Sequence, residues 1–265
     1  MKRPRWHLAI FDPHVAPGQN LRRFDWLARM ILEERPDVIV CSGDMATLDS
    51  CSEHEVGQAL ADQPTLKQDG EAVRDAQRRM FGPLDAWNAR RLKARHPRYH
   101  PRRIMQKGNH EQRWDRWANK NPKQASAIDI DSYLGFAEHW DVVLPFKAYD
   151  EIDGVAYTHV PHTTMGKPLG GVSKVRRAAL ESSVPVFFGH GHDLQVATVG
   201  DLRGGPARGF AMSGPAFMDD GNVEKYAANN QTGWSYGLLR VRPQGPGRVP
   251  SYDYVSMRDL ERLYG

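Results

Sequence analysis

Short apolar runs that end in polar turns recur along this chain, and such runs are typical of buried strands. The first covers residues 6–11 (WHLAIF), and the second covers residues 37–40 (DVIV). Between them, residues 21–35 carry apolar side chains at helical spacing and stop at Pro36. This strand–helix–strand order predicts a sheet with parallel pairs, in which functional side chains lie just beyond the carboxyl ends of the strands.

The same kind of run predicts three more strands, at residues 102–107, 154–160 and 184–190. The first of these is only half apolar, but a helix-like stretch at residues 111–120 follows it. Together with the two strands above, these segments are expected to bring five strand ends to one edge of the fold.

Beyond residue 193 the pattern changes to an alternation of apolar and polar residues, broken by turns rich in Gly and Pro. Such alternation is typical of antiparallel strands. It predicts that this part of the chain forms a second sheet, and that residues 257–265 close the chain as a short helix. The alternating segments are residues 194–200, 208–217, 234–243 and 250–257.

The connection between the second and third strands is longer than one crossover helix requires. We therefore predict a helical, basic insertion at about residues 49–103, within a single domain that spans residues 1–265. The insertion begins with an acidic entry at residues 49–71 and continues as a helix that is interrupted at Gly82 and Pro83.

The end of this insertion is strongly basic, because residues 90–103 contain seven Lys or Arg side chains, with Trp87 and Tyr99 close by. The favoured interpretation is a solvated helix face followed by a basic connection. The functional alternative is an electrostatic rim that draws a polyanion towards the predicted site.

Side chains suited to metal binding follow the predicted strands one after another. A single Asp-x-His or Gly-Asp pair is common in ordinary turns, so the indication comes from their joint occurrence at successive strand ends. Carboxylates, imidazoles and an amide oxygen suit divalent ions such as Mn²⁺, Fe²⁺ and Zn²⁺, and the lack of thiolate ligands argues against a structural zinc site. The candidate ligands are Asp12, His14, Asp44, Asn109, His159, His190 and His192.

This set of seven is large enough for two ions. Two ions about 3.5 to 4 Å apart can hold both the attacking and the leaving oxygen of a displacement at phosphorus. Such a pair requires a bridging ligand with two oxygens, and Asp44, at the end of a central strand, fits that role. The fourth predicted strand leaves one choice open, since His162 lies near His159, but the strand ends closer to His159.

In order and spacing, these residues resemble the motif series of the calcineurin-like metallophosphoesterases. The series reads Asp12-Pro13-His14, Gly43-Asp44, Gly108-Asn109-His110-Glu111, His159 and Gly189-His190-Gly191-His192. The resemblance implies an α/β (α+β) fold with two packed mixed sheets flanked by helices, in a four-layer αββα sandwich.

The resemblance also implies a role for each residue. Asp12, His14 and His192 would hold one ion, and Asn109, His159 and His190 would hold the other, with Asp44 bridging them. The two ions are expected to be Mn²⁺, with Fe, Zn, Ni or Co as alternatives. A hydroxide that bridges them would attack phosphorus, because two cations lower the pKa of bound water.

His110 would not be a ligand but would contact a phosphoryl oxygen and assist the leaving group as the catalytic residue. Glu111 would orient His110 or place a favourable charge at the start of the next helix. Arg113 is a candidate for binding a phosphate oxygen, and the alternative is a solvated helix face. Many family members have an aspartate three residues after the bridging one, but this chain has Thr47 there and its next acid is Asp49.

Composition agrees with a soluble globular chain of 265 residues, with 40% hydrophobic content and no apolar run long enough for a membrane span. The apolar stretch near the N-terminus is too short for a signal peptide, so we expect no membrane association and a cytoplasmic location. Cys41 and Cys51 are expected to be free thiols.

The substrate class is less sharply indicated than the chemistry. A formal charge of +4 and a pI near 9.1 favour an anionic phosphoester larger than a sugar phosphate. We favour a phosphodiesterase acting on nucleotides or nucleic acid, such as a nuclease. The alternative within the same chemistry is a phosphomonoesterase or protein phosphatase, and from another class a non-catalytic scaffold that keeps the metals and binds a partner.

Overall fold

The computed structural model describes residues 5–52, 64–200, 207, 209–223 and 232–265. The acidic entry predicted at residues 49–71 therefore lies partly outside the described residues. Among those described, no helix has the length and apolar character that a membrane span requires.

The first sheet carries the predicted strand–helix–strand order. Its strands lie in the order β11-β10-β1-β2-β3-β4. Strands β1 to β4 pair in parallel, whereas β10 is antiparallel to β1 and β11 is antiparallel to β10. The bounds are β1 His7–Ile10, β2 Val38–Ser42, β3 Arg102–Gln106, β4 Val142–Leu144, β10 Gly237–Arg242 and β11 Ser251–Ser256.

The second sheet is also mixed, with its strands in the order β5-β6-β7-β9-β8. Strands β6, β7 and β9 pair in parallel, and β5 and β8 are antiparallel edge strands. The bounds are β5 Asp150–Ile152, β6 Val155–Thr158, β7 Val186–Phe188, β8 Gln195–Val199 and β9 Gly209–Ser213.

The helices lie outside the two sheets. They are α1 Arg22–Glu34, α2 Leu66–Lys93, α3 Gln112–Lys120, α4 Pro122–Ala125, α5 Ile130–Tyr133, α6 Phe136–His139, α7 Lys174–Glu181 and α8 Met257–Tyr264, with a 3₁₀ turn at Asp49–Cys51. One apolar cluster joins the first sheet to α1, α2 and α8, a second fills the space between the sheets, and a third lies under α7. The predicted layering of helix, sheet, sheet and helix is confirmed.

Two sequence predictions about the elements are wrong. The strands near residues 240 and 253 do not join the second sheet, because β10 pairs with β1 and extends the first one. The helix α2 is not interrupted at Gly82 and Pro83. Pro83 is exposed, whereas its neighbours Phe81 and Leu84 are buried. Burial of these side chains, about 1.5–3 kcal/mol each, offsets the hydrogen bond that proline removes.

The basic residues 90–103 lie at the end of the first sheet opposite to the predicted metal site. They cover the end of α2 and the start of β3, whereas Gly108 follows the end of β3. Asp69 accepts the Ser50 N–H in the segment that follows Asp44, and the 24 steps along α2 from Asp69 to Lys93 span about 36 Å at 1.5 Å per residue. The segment therefore does not form a rim beside the predicted metal site, and attraction of a polyanion by its charges stays a prediction.

Cys41 and Cys51 are both buried free thiols, as predicted. The pKa of each thiol is raised, mainly by burial, and that of Cys51 reaches about 11. Neither thiol is thus activated as a nucleophile.

Candidate metal centre

The first two strand ends are joined directly to each other. Asp12 and His14 follow β1, and Asp44 follows β2. The His14 backbone N–H donates to the Asp44 carbonyl over 2.8 Å, and the Val15 N–H donates to the Met45 carbonyl over 2.9 Å. This pairing extends the parallel contact of the two strands, so it fixes both loops at one edge of the sheet.

Asp44 lies at the middle of the cluster, as expected for a bridging ligand. Its Oδ1 accepts a hydrogen bond from the His110 backbone N–H over 2.9 Å. Its Oδ2 lies 3.2 Å from His159 Nε2, 3.8 Å from His14 Nε2 and 4.0 Å from His110 Nε2. One carboxylate oxygen therefore faces three imidazoles that come from different loops.

Asn109, His159 and His190 form one side of the cluster. Asn109 Oδ1 lies 2.8 Å from His159 Nε2 and 2.8 Å from His190 Nδ1. The other nitrogen of His159, Nδ1, lies 3.1 Å from the Ser42 carbonyl oxygen, to which it can only donate. This contact fixes the tautomer that leaves Nε2 available as a metal ligand.

Asp12, His14 and His192 form the other side. His14 Nε2 and His192 Nε2 are 3.0 Å apart. The carboxylate of Asp12 accepts the His190 backbone N–H at 2.8 Å and 3.0 Å through its two oxygens. This contact ties the turn after β7 to the loop after β1, so the two sheets meet at the site.

The donor set fits divalent ions. Ligand atoms within 4.8 Å of one another form three groups: Asp12 with His14 and His192, Asp44 with His159 and His190, and His14 with Asp44 and His110. The first two groups correspond to the two predicted ion sites, with Asp44 next to both. The third brings His110 within the same distance, although it is predicted to be catalytic. Occupancy by metal stays a prediction.

Five of the seven predicted ligands have left-handed backbone conformations. The φ values are 48° for Asp12, 45° for His14, 50° for Asp44, 66° for His190 and 55° for His192. Residues other than glycine seldom adopt this region, and such strain tends to concentrate at functional sites. The backbone therefore turns sharply at each of these strand ends in a way that aims the side chains at a common point.

Two glycines allow the loops to approach closely. A Cβ atom on Gly108 would lie 2.0 Å from Asp44 Oδ1, and one on Gly43 would lie 2.2 Å from His159 Nδ1. These positions are therefore restricted to glycine by the ligands packed against them, which explains the Gly-Asp and Gly-Asn-His parts of the motif series.

Burial and mutual charge shift the pKa values of the cluster in opposite directions. Burial raises the pKa of Asp12 to about 7. Burial would also raise the pKa of Asp44, but His159 and the other imidazoles hold it well below its usual range. Burial opposes protonation of His159, but Asp44 and Asp12 raise its pKa to about 9. Burial and the charge of His159 lower the pKa of His190 to about 4.

His110 is held by a backbone carbonyl rather than by a carboxylate. Its Nδ1 donates to the Thr47 carbonyl oxygen over 3.0 Å, which turns Nε2 towards the cluster. Asp49, the next acid in the sequence, is bound instead by Arg113 Nη1 at 2.8 Å. The same Nη1 donates to the Thr47 carbonyl, and Arg113 Nη2 lies 3.5 Å from His110 Nε2. The missing aspartate at position 47 is thus replaced by a main-chain acceptor.

Glu111 has a role that the sequence analysis missed. Its buried side chain does not cap the following helix. Instead, its carboxylate accepts hydrogen bonds from the backbone N–H groups of Asp44, Ala46 and Gly108, over 3.1, 2.8 and 2.6 Å. Glu111 therefore fixes the loops that carry Asp44 and Asn109. In the sequence, the one indication of a role at the site is that Glu111 directly follows Asn109 and His110.

Arg23 is a second anchor that the sequence did not reveal. This α1 side chain is 1% exposed. Its guanidinium donates to the carbonyl oxygens of Pro13, Asn20 and Phe217, over 3.1, 2.8 and 3.1 Å. Because Pro13 separates Asp12 from His14, Arg23 supports the first ligand loop from behind. The amphipathic pattern of residues 21–35 gave no signal that this one arginine faces inward.

The site is open on one side. His190 is exposed and Asn109 is partly buried, whereas the other five predicted ligands are buried. Two aromatic rings pack against ligands of the cluster. The Trp234 ring packs edge-on against His192 with a centroid distance of 4.3 Å, and Phe146 packs against His159 at 6.1 Å. The alternative ligand His162 does not join the cluster but lines a cavity of about 890 Å³ over the outer face of the second sheet.

Comparisons with known proteins give low similarities. No family model matches the sequence, and no curated protein matches it significantly. Wild-type Vps29 from Entamoeba histolytica, solved in complex with Zn²⁺, is 12% identical, with 95% of this chain and 99% of the other covered and a TM-score of 0.38. The E. coli phosphoesterase YfcE is 14% identical, with 89% of this chain and 91% of the other covered and a TM-score of 0.37.

Proposed function

We propose that this chain is a calcineurin-like metallophosphoesterase that binds two divalent ions, preferably Mn²⁺, and hydrolyses phosphodiesters of the nucleotide or nucleic-acid class. The observation that carries the proposal is the meeting of seven residues with oxygen or nitrogen donors from both sheets, with Asp44 at their centre. Five of these donors have left-handed backbone conformations, for which a packing role offers no explanation.

The bound ions would supply the positive charge that holds phosphoryl oxygens and activates water. Asp12, His14 and His192 would hold one ion, and Asn109, His159 and His190 the other. Asp44, with Oδ2 facing both groups, would bridge them.

His110 is the proposed catalytic residue. Its Nδ1 proton is committed to the Thr47 carbonyl, so Nε2 is the atom that faces the open centre. When protonated, Nε2 can donate to a phosphoryl oxygen or to the leaving oxygen, and it can return the proton afterwards. The Arg113 guanidinium beside it, 3.5 Å away, is held in place by Asp49 and is the candidate second contact to phosphate.

Charge balance at the centre favours a diester over a monoester. Arg113 is paired with Asp49 at 2.8 Å, and Lys174, which lies beside Gly191, is paired with Asp193 at 2.5 Å. Because each cation already has a carboxylate partner, neither offers much net charge to the second negative charge of a phosphomonoester, although Arg113 can still donate a hydrogen bond to one phosphate oxygen. A diester has a single negative charge at phosphorus.

Paired chromogenic substrates test this function. The purified protein, freed of metal with EDTA and reloaded with Mn²⁺, is expected to hydrolyse bis-p-nitrophenyl phosphate faster than p-nitrophenyl phosphate. The Asp44→Asn and His110→Asn variants should lose at least about 10²-fold in turnover. Only Asp44→Asn should also lose Mn²⁺ affinity, measured by calorimetry.

Each alternative has its own result in this assay. Preference for the monoester would replace the diester proposal with the phosphatase alternative. Metal binding without hydrolysis of either substrate would favour the scaffold. Wild-type turnover in the His110→Asn variant would show that His110 is not catalytic.

A further inference from the structure

A dense basic surface lies at the amino ends of the parallel strands, far from the metal centre. We define it as the amino-edge basic surface, and its basic residues are exposed. They are Arg90, Lys93, Arg95, His96, Arg98 and His100. No acidic residue occurs in the sequence from residue 86 to residue 110.

The arginines and the lysine of this surface lack carboxylate partners among the residues that the structure describes. Within the described parts of the chain, no ion pair involves Arg90, Lys93, Arg95 or Arg98. The nearby Arg102 and Arg103 differ, because they pair with Asp150 and Asp85 at 3.8 and 3.2 Å. The surface therefore keeps about four unneutralised positive charges close together, which repel each other unless an anion binds.

Helix stabilisation explains only part of this charge. Basic side chains in the last turn of a helix interact favourably with its carbonyl end, which accounts for Arg90 and Lys93. Arg95 and Arg98 follow the helix, where that effect falls off within a turn. Their charge requires another explanation.

The segment that carries Arg95 and Arg98 is held in a fixed shape. The Asn88 side chain both donates to the Tyr99 carbonyl over 2.8 Å and accepts the Tyr99 N–H over 2.9 Å. The Tyr99 hydroxyl donates to the Pro36 carbonyl over 2.5 Å, and Arg91 Nε donates to the Pro97 carbonyl over 3.0 Å. Presentation of the charges therefore costs little ordering entropy on binding.

We infer that the amino-edge basic surface binds the phosphate backbone of nucleic acid, at a place separate from the metal centre. Arginine, which supplies three of its four fixed charges, presents a planar fork that matches phosphate oxygens. Leu92, at 60% exposure, is the only large exposed apolar side chain in this segment. A membrane-binding surface needs more apolar area for insertion, so nucleic acid is the better fit.

Binding to a fluorescein-labelled 20-base-pair DNA duplex, followed by fluorescence anisotropy, tests the inference. The protein is kept in EDTA, so that the metal centre and its function play no part in the result. Four phosphate contacts predict a slope of about −3.6 in log affinity against log salt, or a loss of about 10²-fold from 50 to 200 mM.

The test variant is the double substitution Arg95→Glu and Arg98→Glu. It should bind at least about tenfold more weakly at 50 mM salt, with the slope reduced by about two. The matched control is Arg22→Glu with Arg176→Glu, two exposed arginines in the first turns of α1 and α7, without an ion-pair partner in the described part of the chain. The control changes the net charge equally but should bind almost as the wild type does.

Three results would overturn the inference: no binding by the wild type at 50 mM salt, equal losses in test and control variants, or binding to phosphatidylserine vesicles but not to the duplex. Hydrolysis of bis-p-nitrophenyl phosphate by the test variant should equal that of the wild type, because Arg95 and Arg98 are remote from the metal-binding donors. Loss of hydrolysis alone would leave the DNA result valid and would instead question the proposed function.

Discussion

Replacement of Arg23 by methionine should reveal how strongly the first ligand loop depends on one buried cation. The change keeps much of the side-chain volume but removes all donors from a site that is 1% exposed. The carbonyl oxygens of Pro13, Asn20 and Phe217 would lose hydrogen bonds of 2.8 to 3.1 Å. Each bond to a charged donor contributes about 1.5–3 kcal/mol.

The expected net loss in the free energy of unfolding is about 3 kcal/mol. The sum of the three bonds is larger, but burial of the guanidinium itself is unfavourable and lowers the pKa of Arg23 to about 10. Its removal recovers part of that cost. Asp219, the ion-pair partner at 3.8 Å, is partly exposed and can be solvated after the change.

Urea unfolding measures this loss, which corresponds to a shift of about 1 M in the midpoint at a slope of about 3 kcal/mol/M. Calorimetric titration with Mn²⁺ should show weaker binding as well, because the loop of Asp12 and His14 is no longer supported. Arg22→Met is the matched control, since the adjacent Arg22 is exposed. A midpoint for Arg23→Met equal to that of the control would refute the reasoning.

Three further changes have defined outcomes. Gly108→Ala should abolish Mn²⁺ binding, measured by calorimetry, because its Cβ would lie 2.0 Å from Asp44 Oδ1, whereas Gly170→Ala, with no atom within 4 Å, should bind normally. Pro83→Ala should raise the free energy of unfolding by about 1–3 kcal/mol by restoring a helical hydrogen bond, and an unchanged urea midpoint would contradict this. Burial raises the pKa of Asp69 to about 6, so the folded state retains a proton that the unfolded chain loses near pH 4. The contribution of Asp69 to the free energy of unfolding should therefore fall as pH rises from 4 to 6, by at most about 3 kcal/mol. Urea unfolding at both pH values should show the wild type losing that stability relative to Asp69→Asn, and a difference between the two proteins that does not change with pH would contradict this.

The gathering of the seven donors could be predicted because each lies at or just after the end of a predicted strand. In parallel strands, the residue after the run must lie at the carboxyl edge, so Asp12 and Asp44 come together for topological reasons. The choice of His159 over His162 followed from the same rule. Local sequence is therefore sufficient to predict a site residue where the place of that residue along its strand determines its place in the site.

The roles of Glu111 and Arg23 could not be predicted in this way. Each binds backbone groups of segments far away in the chain, such as Phe217 in the case of Arg23. A backbone acceptor cannot be recognised from the sequence, since every residue has the same backbone carbonyl group. For the same reason, the replacement of an aspartate by the carbonyl of Thr47 as the partner of His110 was invisible.

Strand alternation failed for a related reason. The pattern near residues 240 and 253 correctly indicates strands, but pairing with β1 rather than with β9 depends on the path of the chain between them. The direction of α2 was equally undetermined, although it decides that Arg95 and Arg98 lie away from the donors. A basic run in a sequence thus indicates an anionic partner without indicating where that partner lies relative to a catalytic site.

The left-handed backbone at the strand ends explains why the candidate metal ligands need anchors such as Glu111 and Arg23. Five left-handed residues at roughly 1 kcal/mol or more each represent a cost comparable with the net stability of an ordinary domain. Such a cost persists only where neighbouring interactions over-determine the conformation. Glu111 holds the turn at Asp44 through backbone N–H groups, and Arg23 holds the turn at Asp12 and His14 through the Pro13 carbonyl. The carboxylate of Asp12 holds the turn at His190. Since they hold the loops before any ion binds, the donors are pre-organised, and less of the ion-binding energy is consumed in ordering the chain.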